Sequence, residues 1–156
     1  MVQKNRTLKP IPIAAQRYAL RERYGELVTF LPVPRQQLVC LIALRPSPHS
    51  CKYVVRVSYG LHWSQRTPRV WLLSPLLDQG GHQQVPHVYE YNSQGHARLC
   101  VYNPNQREFR PEQHLLANSL VPWILTWLNT YEFWLLTGQW VYPQIHNTAK
   151  KDHVSH

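Results

Sequence analysis

The sequence of 156 residues contains no pair of cysteines that could form a disulfide framework. Its three cysteines, Cys40, Cys51 and Cys100, are an odd number and none is close to another, which argues against a disulfide-rich secreted domain. The first residues also lack the charged, apolar and small-residue segments of a secretion leader. We therefore expect a reduced, cytoplasmic protein.

Long uninterrupted apolar runs are also missing. The most apolar segment is 115–136, in which 15 of 22 residues are apolar. Seven residues interrupt it: Asn118, Ser119, Pro122, Thr126, Asn129, Thr130 and Glu132. Since lipid tolerates such groups poorly, this pattern predicts a buried helix and no membrane partner.

Several signatures of enzymes and metal sites are missing as well. There is no glycine-rich phosphate loop, no HExxH, no GxSxG and no CxxC, which removes many nucleotide-dependent, hydrolytic and redox classes. The candidate metal ligands do not have finger or ribbon spacing; they are His49, Cys51, His62, His82 and His87. We expect neither a metal nor a cofactor.

Acidic residues are scarce, with 8 Asp and Glu against 17 Lys and Arg. The excess is confined to one half: residues 1–72 carry a net charge of +10 and residues 73–149 one of −2. A phosphate-tracking surface is therefore one hypothesis, and it would be built from Arg17, Arg21, Arg23, Arg35, Arg45, Arg56, Arg66 and Arg69. No base-reading motif accompanies them, so a solvated arginine-rich face is the favoured interpretation and nucleic acid the less favoured partner.

The composition that is present, 44% hydrophobic with six tryptophans, suits one folded domain. We predict a single domain over 1–143 and a polar tail over 144–156. The fold class is α+β, with four parts in order: an N-terminal helix, an antiparallel β-meander, an irregular segment and a C-terminal helix. The helix over 14–27 has an apolar face of Ala15, Tyr18, Ala19, Tyr24 and Leu27. The meander strands are 37–44, 53–59 and 70–73.

The irregular segment from 74 to 111 holds two brief extended pieces, at 88–91 and 98–102. The C-terminal helix is densely apolar, and we expect Ser119 to cap it, Pro122 to lie in its first turn and Gly138 to end it. Its tryptophans are interpreted as core residues. Cys100 lies in the irregular segment, close in the sequence to His, Tyr and Asn side chains, which makes it a candidate nucleophile.

These residues resemble a known family. Ubiquitin-conjugating (E2) enzymes carry a His-Pro-Asn tripeptide and then a nucleophile segment with Cys between apolar residues, after a helix and a meander. The sequence motifs are more similar to those of the stand-alone E2-like proteins of bacterial CBASS antiphage operons. The matching segments are His87-Val88-Tyr89, Leu99-Cys100-Val101-Tyr102, Val121-Pro122-Trp123, Trp127-Leu128, Tyr131-Glu132-Phe133-Trp134 and Thr137-Gly138-Gln139-Trp140.

The resemblance implies an E2-like (UBC) fold and a transferase. Its cysteine, at Cys100, would carry the C-terminus of a cGAS-like nucleotidyltransferase as a thioester and pass it to an amine. The chain departs from the family where Val88 and Tyr89 replace the oxyanion-stabilising Asn, so Tyr89, Tyr102 and Asn103 are the alternative donors. His87 has two open roles, holding the loop or acting as a base. An isopeptidase with a Cys100–His87 dyad is a second enzymatic hypothesis, and a nucleic-acid-binding domain is a non-enzymatic one.

Overall fold

The computed structural model describes residues 8–78 and 80–141, except the side chain of Pro104, and the predicted tail over 144–156 lies outside this part. Within it the chain forms two α-helices and one antiparallel sheet of six strands. The predicted α+β class is confirmed. The helices are α1 (Ile13–Tyr24) and α2 (Leu120–Thr137), and the strands are β1 (Val28–Phe30), β2 (Gln37–Leu44), β3 (Tyr53–Gly60), β4 (Arg69–Ser74), β5 (Val88–Tyr91) and β6 (Ala97–Leu99).

The strands lie in the order β1-β2-β3-β4-β6-β5. The first four form a meander, because each pairs with the next along the chain. The predicted three-stranded meander is thus confirmed as β2, β3 and β4, while β1 was not predicted. The two extended pieces of the irregular segment form a hairpin, and its second strand, β6, pairs with β4. This pairing fixes the segment that contains Cys100 to the central sheet.

Alternation along β2 and β3 decides which face of the sheet is buried. In β3 the residues Tyr53, Val55, Val57 and Tyr59 are buried, and the residues between them are partly exposed. Side chains in a strand point to opposite faces in turn, so one face packs on the core beneath α2. The other face carries polar groups such as Arg56.

The predicted apolar face of α1 was only partly right: Ala19 and Tyr24 pack against the core, whereas the other three residues are exposed. Its buried residues are Ile13, Gln16 and Leu20, whereas Tyr18 is 70% exposed. Gln16 is buried because its amide group satisfies two distant backbone groups: it donates to the carbonyl of His114 at 3.0 Å and accepts from the amide of Leu116 at 2.8 Å. The polar side chain thus fastens α1 to the segment before α2.

Helix α2 is the core helix that the sequence predicted. Trp127 is completely buried on it, Pro122 lies in its first turn, and Gly138 ends it in a left-handed conformation with φ of 73°. Ser119 does stand at the N-cap position, but its hydroxyl donates to the carbonyl of Leu115 at 2.7 Å and does not cap the helix. No helix in the described residues is both long and apolar enough to cross a membrane.

Candidate active site

Cys100 directly follows β6 and is partly exposed. Its backbone amide donates to the carbonyl of His87 at 3.0 Å, which extends the pairing of the hairpin by one residue. Its thiol donates to the carbonyl of Tyr102 at 3.6 Å. The position of the Cys100 sulfur is therefore set by two hydrogen bonds, one from its backbone amide to His87 and one from its thiol to Tyr102.

A β-bulge directs Tyr89 towards this sulfur. Along the hairpin Val88 pairs with Leu99 and Glu90 with Arg98, so Tyr89 is an extra residue between two paired ones. Bulges of this kind re-aim a side chain. The phenol of Tyr89 lies close enough to the Cys100 side chain for the two to interact.

The environment of Tyr89 keeps its phenol protonated. Burial is the largest cause, and the neighbouring Cys100 side chain adds to it, so that the pKa of Tyr89 is raised to about 12. At neutral pH the hydroxyl is therefore a hydrogen-bond donor. Tyr89 is also 45% exposed, so part of its side chain faces solvent.

Arg98 holds the Tyr89 ring from the other side. Its guanidinium carbon lies 4.4 Å from the ring centroid, a cation–π contact. A second contact, 3.6 Å to the carboxylate of Glu90, fixes the guanidinium along the hairpin. Because Arg98 and Glu90 are paired across the strands that flank the bulge, the ion pair and the bulge position the same phenol.

His87 connects the nucleophile segment to α2. Its carbonyl accepts two hydrogen bonds, one from the amide of Cys100 and one at 3.1 Å from the indole of Trp127. Its φ of 54° is the left-handed region, which bends the chain sharply just before β5. The imidazole lies against Trp140, with 5.4 Å between ring centroids, and burial lowers the pKa of His87.

Tyr102 and Asn103 are tied to neighbouring groups. The hydroxyl of Tyr102 donates to the carbonyl of Pro68 at 2.6 Å, and burial above all raises its pKa. The side-chain oxygen of Asn103 accepts from the amide of Asn105 at 3.0 Å, which forms a turn just after the site. Of the three predicted donors, Tyr89 is the one that interacts with the Cys100 side chain and whose hydroxyl is not held by a backbone group of the described residues.

The other two thiols lie in different surroundings. Cys40 is buried in β2, and burial raises its pKa to about 12. Cys51 is exposed in the connection between β2 and β3. Cys51 also lies beside a phenol, that of Tyr53. Cys100 differs from both in that its thiol donates to a carbonyl, that of Tyr102.

Sequence reasoning missed two residues of this site. Trp127 was interpreted as core only, which its burial bears out, but its indole N–H also anchors the His87 carbonyl. Arg98 was not singled out, although an arginine two residues before the candidate nucleophile was a visible signal. The roles of Arg98 and Trp127 depend on the groups that they contact. These contacts result from the bulge in the hairpin and from the packing of α2 against it.

The arginines proposed as a phosphate surface are spread over several elements, and some have structural partners. Arg21 donates to the carbonyls of Gly25 and Val28, both at 2.8 Å. Arg45 bonds the carbonyl of Ser50 and Arg66 that of Leu61. These bonds favour the interpretation of a structural and solvated arginine set. Among the described residues no cluster of three or more His, Cys, Asp or Glu could hold a metal ion.

Comparison with known proteins places the chain in a family. A profile described as type II CBASS E2 protein matches residues 16–147. The chain belongs to the type II CBASS E2 family. The match covers most of α1, the whole sheet, Cys100 and α2, and it supports an E2-like role in CBASS antiviral defence alongside other CBASS proteins. No curated protein matches the chain.

Proposed function

We propose that this CBASS E2 protein carries an acyl group as a thioester on Cys100 and transfers it to an amine. The observation that carries the proposal is the arrangement around one partly exposed thiol, with the Tyr89 phenol beside it and the Tyr102 carbonyl accepting a hydrogen bond from it. A thioester suits a carrier because a thiolate leaves readily when an amine attacks. Family membership supports the same chemistry.

Charging of Cys100 needs an activated carboxyl group, because a free carboxylate does not acylate a thiol spontaneously. The thiol loses its proton, the sulfur attacks the activated carbonyl carbon, and the activating group departs with the bonding electrons. The donor that we propose is the C-terminus of a cGAS-like nucleotidyltransferase, already activated as a thioester or acyl adenylate by a partner protein. In the second step an amine attacks the same carbonyl, the carbon–sulfur bond breaks, and Cys100 is regenerated.

Tyr89 is proposed to stabilise the oxyanion in both steps. Charge develops on the carbonyl oxygen next to the sulfur, and a donor placed there lowers the barrier. Tyr89 is suited because its hydroxyl lies beside Cys100 and stays protonated, with a pKa of about 12. Tyr102 instead donates to Pro68. Arg98 is then a positioning residue, because it holds the Tyr89 ring.

His87 is proposed as a positioning residue too. Its carbonyl bonds the backbone of Cys100 and the indole of Trp127, and its imidazole packs on Trp140. These contacts favour holding the loop over acting as a base, and so favour transfer over the alternative of a cysteine isopeptidase. We further propose that the α+β architecture is the UBC-like fold of E2 enzymes, that one domain spans 1–143, and that the protein acts in the cytoplasm.

Variants of two thiols test the proposal. The wild-type protein, charged with an activated donor peptide, should give an adduct that reductant removes. Cys100→Ser should give an ester that resists reductant, Cys100→Ala no adduct, and Cys51→Ser, the matched control at an exposed thiol, the wild-type adduct. A reductant-sensitive adduct on Cys100→Ala would contradict the proposal.

An isopeptide-linked substrate separates transfer from hydrolysis. A transferase should release its acyl group much faster when a primary amine is added, whereas an isopeptidase needs only water. The isopeptidase would be favoured if the wild-type protein cleaved the isopeptide bond at a rate independent of the amine and the His87→Gln variant did not cleave it.

A further inference from the structure

A cavity of about 300 Å³ lies beside the nucleophile segment. Its wall includes Leu99 and Val101, the residues on either side of Cys100, and also Tyr89. Because Tyr89, which interacts with the Cys100 side chain, is part of this wall, the cavity begins about one tyrosine side chain away from the sulfur. An extended peptide rises about 3.3 Å per residue, so the cavity is within reach of about the second to fourth residue of an attached acyl chain.

The charged side chains that line this cavity are all positive. Two arginines, Arg69 and Arg98, line it, and no acidic residue does. Both guanidinium groups act on the phenol of Tyr102, where they oppose the rise of its pKa, so both charges lie near the same wall. The hydroxyl-bearing residues Ser64 and Thr67 complete the polar lining.

Arg69 is the more available of the two arginines, because it is exposed at the start of β4. Arg98 lies over the Tyr89 ring and 3.6 Å from the carboxylate of Glu90, so it adds charge to the wall while Arg69 offers the open guanidinium. A carboxylate matches the guanidinium fork in charge and in geometry.

We infer that this cavity, the arginine pocket, binds an acidic side chain close to the C-terminus of the acyl donor. The inference rests on the proposed function, since it is the thioester on Cys100 that places the donor chain there. A second cavity, of about 450 Å³, shares Thr67 and Tyr102 with the arginine pocket and so lies next to it. The donor is thus a peptide with Asp or Glu within a few residues of its end.

Synthetic peptide thioesters test this assignment on the full chain. In the reaction the Cys100 sulfur replaces a small thiol at the peptide carbonyl, and the small thiol leaves with the proton that Cys100 gives up. Peptides of six residues carry Asp or Asn at the second, third or fourth position from the thioester. Intact mass follows single-turnover acylation of Cys100 at low salt and at high salt.

We expect the Asp peptide to acylate Cys100 about tenfold faster than its Asn partner at one of the three positions. High salt should reduce this preference, because the pocket is partly open to solvent. Arg69→Gln should abolish it and Arg69→Lys should restore part of it. Arg45→Gln removes an equal charge at the opposite end of β2 and β3 from Arg69, outside the pocket, and should keep the preference.

Other outcomes overturn the inference. Equal rates for all Asp and Asn pairs in the wild-type protein would refute the arginine pocket and leave the thioester mechanism standing. A preference that survives Arg69→Gln would also refute it. If no peptide acylates Cys100, the proposed function fails and the inference fails with it. Single-stranded DNA could also slow the acylation of Cys100 at physiological salt. If it does so in the wild-type protein but not in Arg69→Gln, the pocket binds phosphate and not a carboxylate.

Discussion

Replacing Tyr89 by Phe tests the proposed oxyanion donor. The change removes one hydroxyl and keeps the ring that Arg98 covers at 4.4 Å. A preorganised donor shielded from water contributes about 2.7–4 kcal/mol to the transition state. Tyr89 is 45% exposed, and water can replace part of its contribution, so we expect about half, ~1.4–2 kcal/mol, or a rate lowered roughly 10–30-fold.

The assay follows release of the acyl group from Cys100 to a primary amine in a single turnover. The protein is charged first and the excess donor is removed, so that only the second step is measured. Tyr91→Phe is the matched control, because Tyr91 lies two residues away on the same strand and is 44% exposed. It should keep the wild-type rate.

Two results would refute the reasoning about Tyr89. One is a wild-type rate of aminolysis for Tyr89→Phe. The other is an equal loss in Tyr91→Phe, because the effect would then come from the hairpin as a whole. A loss in Tyr89→Phe alone, with an unchanged free energy of unfolding, would assign the effect to the hydroxyl.

Three further predictions concern the surroundings of the site. At pH 8 iodoacetamide should modify Cys51 but not Cys40, whose pKa is raised to about 12 by burial; equal labelling of the native protein, read by peptide mass, would contradict this. Trp127→Phe should lower the free energy of unfolding by about 2 kcal/mol and slow acylation, because it removes the bond to the His87 carbonyl; Trp134→Phe, buried on the same helix, should lower stability without slowing acylation. Since burial lowers the pKa of His87, stability should fall as pH drops below about 6.5, where the unfolded chain takes up the proton first; a His87→Gln variant with the same pH slope in urea denaturation would contradict this.

The strands of the meander could be predicted because their sequence alternates. In β3 the buried Tyr53, Val55, Val57 and Tyr59 follow a period of two, and this pattern needs no knowledge of distant residues. Strand β1 is only three residues long and directly follows a helical turn. It has too few residues to show a period, and its pairing with β2 decides its structure.

The faces of α1 could not be predicted, since they depend on remote partners. Gln16 is buried because it meets backbone groups of His114 and Leu116, about a hundred residues away. Apolar residues such as Tyr18 stay exposed on the opposite side. Hydrophobic periodicity alone therefore placed Tyr18 on the buried face of α1 and missed Gln16.

The candidate site was predictable in its members but not in their arrangement. Proximity in sequence suggested Cys100, His87 and Tyr89, and the hairpin does bring their segments together. A bulge cannot be recognised in a four-residue strand without its partner strand. The direction of the Tyr89 side chain therefore could not be predicted from the sequence. The indole bond from Trp127 to His87 was hidden for the same reason, since it joins residues 40 positions apart.

The central claim is that Cys100 carries an acyl group. The most direct measurement is intact mass of the wild-type protein after mixing with an activated cGAS-like nucleotidyltransferase, followed by peptide mapping. The account predicts a mass increase equal to the donor less one water, located on Cys100 and removed by reductant. An adduct mapped to any other residue, or a complex that is entirely non-covalent with an activated donor present, would contradict it.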